Sequence, residues 1–182
     1  MRYQEILSEG KVTFYHGSSV QITEFTLDQL GNGTGTDQEG PGIYLTSSAE
    51  DARAYGDFVH VVEVKLVKSR MMPDRRIVRP EFIRGLISKA PEKDDILMNW
   101  DENPSRAMIK AVNAIMDAYG PSEYRQAMEQ VWYDYYRGYE REWLVRMRSV
   151  GWDGFIVNQH NGSQHLICFD PSILTIKEII TG

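Results

Sequence analysis

A chain of 182 residues, 42% hydrophobic and 25% charged, has the length and make-up of one ordinary globular domain. Its net charge of −6 argues against a protein that grips nucleic-acid phosphates, and its one cysteine, Cys168, excludes an internal disulfide and a cysteine-rich metal site. No stretch is apolar for long enough to span a membrane and no signal-peptide run opens the chain, so the expectation is a soluble protein of a reducing cytoplasm.

Residues 2–9 read as a short amphipathic helix that Gly10 ends. The next run, KVTFYH at 11–16, reads as a strand with Val12, Phe14 and His16 on one face. His16 comes at the strand's end, where a side chain can leave the core and meet a ligand, or simply bond to backbone. Gly17 and Ser18 follow it. Ile22, Phe25, Leu27 and Leu30 fall in a loop or short helix. The glycine-rich run 31–42 has neither the spacing and strand–helix context of a dinucleotide fingerprint nor the Lys-Ser/Thr of a P-loop. Its composition suits a loop closing over a ligand and a plain surface loop equally.

The stretch 40–56, GPGIYLTSSAEDARAYG, organises the rest. A Gly-Pro-Gly turn leads into a strand at 43–45, and Thr46-Ser47-Ser48 leads into a helix at 48–55. Ser47 or Ser48 is the N-cap, and Glu50 stands at capping-box spacing from Ser47. Tyr44 and Tyr55 lie on the strand and the helix, so the turn between them lets two aromatic faces flank one slot for a flat, charged ring. Taken singly, each tyrosine reads more readily as a core residue.

Residues 58–67, FVHVVEVKLV, alternate as a strand, with His60 expected at a sheet edge. The cationic residues Lys65, Lys68, Arg70, Arg75, Arg76 and Arg79 read as a solvated loop. From 80 to 149 the period turns helical, with helices near 80–89, 105–118, 122–136 and 139–149 broken at Pro91, Pro104 and Gly120-Pro121. These aromatic-rich helices form an inserted lobe suited to recognising a protein partner. Asn161-Gly162 between two apolar runs signals a hairpin; a two-residue turn would set His160 against Ser163, Gln159 against Gln164 and Asn158 against His165. Asp170-Pro171-Ser172 ends the second strand, and 173–180 is a closing strand or short helix.

In this order, His16-Gly17-Ser18-Ser19, the GIY strand with its second tyrosine, GWDGFIV at 151–157 and HLICFDPSIL at 165–174 resemble the catalytic core of ADP-ribosyltransferases of the poly(ADP-ribose) polymerase and diphtheria-toxin type. The resemblance covers about 12–66 and 150–176. It implies an α+β fold: one domain over 1–182 with a split β-sheet core and a helical insertion at about 70–149. It also implies NAD as co-substrate, no metal, and a protein target, with neither membrane nor nucleic acid as partner. By resemblance the nicotinamide lies between Tyr44 and Tyr55, and His16 holds the adenosine-side ribose. The Gly17 backbone meets the carboxamide beside Ser18, and Ser47, next to Thr46, supports the carboxamide or ribose.

The catalytic residues implied with Tyr44 are less regular. The family's glutamate lies four residues before the aromatic of the late strand, which gives His165 here, or Gln164 if the strand is bulged. Neither is a carboxylate. Either can hydrogen-bond the ribose 2′-hydroxyl, but neither offsets the charge of an oxocarbenium-like transition state. Three readings follow: a mono-ADP-ribosyltransferase acting on a protein, a module that binds NAD, ADP-ribose or a protein without turnover, and an RNA-directed phosphotransferase of related fold. The acidic balance and the lack of an Arg-rich motif disfavour the third, and chain elongation is the least expected activity without the glutamate.

Overall fold

Strands with alternating apolar residues and proline-punctuated helices give the chain two compact units in a computed structural model that describes residues 10–27 and 40–181. The expected helix at 2–9 and most of the glycine-rich run lie outside the described residues. The first unit takes in the described residues of 1–37, with 41–72 and 147–182. It contains β1 (Gly10–Ser18), β2 (Ile43–Thr46), α1 (Ala49–Arg53), β3 (Phe58–Leu66), β4 (Gly154–Asn158), β5 (Gln164–Cys168) and β6 (Leu174–Thr181). Their antiparallel sheet runs in the order β4-β5-β2-β1-β3-β6. The fold is α+β, as the resemblance implies.

The sheet is made of two halves. β1 pairs with β3 along its whole length, from Gly10 opposite Leu66 to Ser18 opposite Phe58, and β3 pairs with β6. On the other side β5 pairs with both β2 and β4. Between the halves, β1 and β2 share one pair, Tyr15 opposite Thr46. One face is sealed by Phe14, Ile43, Leu45, Val62, Val64, Leu66, Leu166 and Cys168, contributed by β1, β2, β3 and β5. Side chains alternate along each strand, so His16 and Gln164 take that face and Tyr15, Thr46 and His165 take the other.

Two expectations are corrected. β3 lies between β1 and β6, so His60 is fully buried in an interior strand rather than at an edge. The β4–β5 connection is longer than two residues: Asn158 opposes Gln164 and Val157 opposes His165. The Gln159 N–H donates to the Ser163 carbonyl, Gly162 takes a φ of +86°, and the Asn161 side-chain oxygen accepts the Ser163 N–H at 3.0 Å. That side-chain bond closes a local turn of its own and moves the register by one residue.

The second unit spans 38–40 and 73–146. It holds α2 (Pro80–Ile87), α3 (Lys93–Met98), α4 (Pro104–Tyr119), α5 (Tyr124–Tyr135) and most of α6 (Glu140–Ser149). Asn103 caps α4, with Pro104 at its first position, and the Tyr136 hydroxyl donates to the Leu86 carbonyl at 2.8 Å. Buried Ile83, Leu86, Val112, Ile115, Met128, Val131 and Tyr135 fill the unit. No described helix is long and apolar enough to cross a membrane.

Candidate active site

Past the Tyr15–Thr46 pair the backbone ladder between the two sheet halves stops, and a side chain takes its place. His16 Nδ1 lies 2.8 Å from the Tyr44 carbonyl oxygen. A carbonyl can only accept, so Nδ1 carries the proton and Nε2 keeps its lone pair. Phe25 meets the imidazole edge-on at 5.2 Å between ring centres, and His60 lies tilted at 5.8 Å. This burial outweighs the carbonyl bond and, with His60 nearby, pulls the His16 pKa below 6.5. The ring is therefore neutral at pH 7. His60 holds the segment behind it: Nε2 accepts the Ile22 N–H at 3.0 Å, while Nδ1 donates to the His16 carbonyl at 3.2 Å.

On the opposite face, α1 lies against β1. A Cβ built on Gly17 would come 1.7 Å from the Ala52 carbonyl oxygen and 3.1 Å from Tyr55 Cβ, so only glycine lets α1 approach this closely. Gly56 reverses the chain after α1 with a φ of +153°, packed on the Ser18 backbone. Ser18 Oγ accepts the Val20 N–H at 3.2 Å, which turns the chain out of β1. Tyr55, 55% exposed, thus stands at the rim beside Gly17, and half-buried Tyr44 lies on the β2 face that α1 covers.

Ser48, rather than Ser47, caps α1: its Oγ accepts the Asp51 N–H at 3.1 Å. Buried Thr46 accepts the Ser48 N–H at 3.1 Å. Ser47 bonds to β5 instead, where its N–H donates to the Gln164 carbonyl at 2.8 Å and its Oγ accepts the Gln164 N–H at 2.9 Å. The Gln164 amide nitrogen donates to Asn158 Oδ1 at 2.8 Å, while its buried Oε1 has no hydrogen-bond partner. His165, half-buried, shares its face with Thr46 and Tyr44, and the Gln159 amide lies 3.1 Å from its Nδ1.

These residues form two groups. Gly17, Tyr44, Thr46, Tyr55 and His165 gather on the α1 side of the sheet, whereas the His16 and Gln164 side chains take the core side. Among the described residues, no cluster of His, Cys, Asp or Glu is arranged to hold a metal.

The family model for ADP-ribosyltransferases in polyvalent proteins matches residues 9–181. The chain belongs to this family. No curated protein matches it. A solved anti-CRISPR protein is similar in structure with a TM-score of 0.38 and 13% identity, over 96% of this chain and 99% of that one.

Within this ADP-ribosyltransferase domain, three residues that pack around His16 or reach the β4–β5 loop carry no local sequence signal for it. Phe25 and His60 enclose His16, and Asp51 reaches the β4–β5 loop, its Oδ2 accepting from Asn161 Nδ2 at 3.1 Å. Serine three residues before Asp51 marked a cap; only the β5 register shows what else that turn touches.

Proposed function

We propose that the domain is a mono-ADP-ribosyltransferase that uses NAD to modify a protein. The observation that carries the reading is the opening between β1 and β2, which brings His16, Gly17 and Tyr44 together with Tyr55 at the rim. NAD supplies the ADP-ribosyl group and nicotinamide as its leaving group, with positive charge growing on the ribose as their bond breaks.

The residues suit that ligand. Tyr44 and Tyr55 offer aromatic surface to a flat cationic ring, and Gly17, by letting α1 press on β1, brings Tyr55 close to the strand. His16, anchored through Nδ1 and held neutral, presents Nε2 to accept a hydrogen bond from a ribose hydroxyl. The helical unit of 73–146 supplies target recognition, because it carries none of the residues of the opening and exposes Ile77, Met98, Trp100 and Tyr133.

A second reading, a module that binds NAD or ADP-ribose without turnover, is favoured by one observation: β5 presents His165 and Gln164 where the family pattern has a carboxylate. Incubation with adenine-labelled NAD and cell extract separates the two. Release of nicotinamide with label on protein supports the transferase; tight NAD binding with neither release nor transfer supports the module.

A further inference from the structure

A carboxylate does stand at the β4–β5 turn that leads into His165, on α1 instead of β5. Asp51 sits in the first turn of α1, and its Oδ2 accepts from Asn161 Nδ2 at 3.1 Å. Ser163, two residues before His165 and on the same side of the strand, reaches it as well. The Ser163 hydroxyl has one proton to give, and Asn161 Oδ1 at 2.7 Å competes with Asp51 for it. Both ends of the arrangement are fixed: Ser47 and Gln164 exchange backbone and hydroxyl bonds, and Thr46 opposes His165 in the ladder. Asp51 and His165 are therefore set by one short stretch of chain, on the face that carries Tyr44.

We propose that Asp51 supplies from α1 the negative charge that β5 lacks, acting beside His165 to oppose the positive charge that grows on the ribose. This rests on the transferase reading above. The hydrogen bonds from Ser163 and Asn161 hold the Asp51 carboxyl below its ordinary range, so it is ionised at neutral pH. Gln159 donating to His165 Nδ1 leaves the Nε2–H of a neutral ring as a donor for a hydroxyl. The two side chains then divide what one glutamate does elsewhere: His165 supplies a hydrogen bond and Asp51 the charge.

The test relocates the charge. Nicotinamide release, NAD affinity by calorimetry and melting temperature are measured for the wild type, D51N, N161A and D51N/H165E. Asparagine keeps the size and one acceptor oxygen for Asn161, while it removes the charge and puts an amide donor in place of the second oxygen. D51N is expected to slow release on the order of 100-fold with unchanged affinity and melting temperature. In D51N/H165E, a carboxylate back on β5 should recover at least about tenfold of that loss. N161A removes the tether and keeps the charge, so it should slow release less than D51N does. Undiminished release in D51N overturns the proposal. So does an equal loss in D51N and N161A accompanied by a lower melting temperature, which would make Asp51 a structural tether. A wild type that binds NAD without releasing nicotinamide overturns the transferase reading itself.

Discussion

His16 donates through Nδ1 to the Tyr44 carbonyl and closes the gap where the β1–β2 ladder ends, so one nitrogen serves the fold and the other is left for a ligand. Two substitutions separate these roles. Asparagine places an amide N–H close to where Nδ1 stands and has nothing in place of Nε2; alanine removes both. His16→Asn should keep the melting temperature near that of the wild type and weaken NAD binding, whereas His16→Ala should lose affinity and about 1 kcal/mol of stability as well. Calorimetry and thermal melting on both variants check this, and unchanged affinity in His16→Asn would remove His16 from the ligand site. The same ring sets a pH dependence. Its folded pKa lies below the ordinary 6.5, so the unfolded chain takes up a proton first as the pH falls. The stability from the neutral buried ring is complete above 6.5 and is lost as the pH drops through the lower, folded value. Melting temperatures from pH 7 to 5 should therefore fall more steeply for the wild type than for His16→Asn.

At the scale of elements, α1 is held against β1 by the absence of a side chain. A methyl group on Gly17 would lie 1.7 Å from the Ala52 carbonyl oxygen, a backbone atom that cannot rotate away. Gly17→Ala should displace α1, cost about 1–3 kcal/mol in urea unfolding, and expose Tyr55 further; an unaltered unfolding midpoint would show that α1 is not pressed on the strand. The close approach was not legible in the sequence, where Gly17 reads as one residue of a ligand motif. What was legible is local. Alternation in KVTFYH and FVHVVEVKLV marked β1 and β3, and Pro104 and Gly120-Pro121 bounded α4 to within a residue or two. The short α3, KDDILM, has too few turns to show a period and was missed. The hairpin was legible, but its register was not, because Asn161 bonds to Ser163 and to Asp51 instead of forming a two-residue turn. Which side of the sheet His165 and Gln164 face follows from that register and from the lone Tyr15–Thr46 pair. Both depend on partners distant in the chain, which no periodicity reports.

For the whole molecule, the chain alternates between the two units: residues 10–27 and 41–72 build the sheet and the opening, 73–146 build helices, and 147–181 return to complete the sheet. Every residue placed at the opening comes from the first unit. Asp153 within it pairs with Arg70, and Asp170 with Arg148 at 3.2 Å, so both chain returns near the helical segment are tied by charge inside the sheet unit. On the proposed reading, cleavage of NAD needs only the sheet unit's side chains, while choice of protein target falls to the helical unit. On that reading the exposed apolar residues of 73–146, Ile77 at 74%, Met98 at 71% and Tyr133 at 54%, are the natural contacts, since large apolar and aromatic side chains carry most of the binding energy in interfaces. Replacing Met98 and Tyr133 by aspartate should leave nicotinamide release within about twofold and reduce transfer to protein by tenfold or more, the roughly 1.4 kcal/mol or greater expected of a hot-spot pair. Released nicotinamide and protein-bound label, measured in one reaction, read the two steps separately. If both fell together in a variant with an unchanged melting temperature, the helices would be serving the chemistry as well as the target.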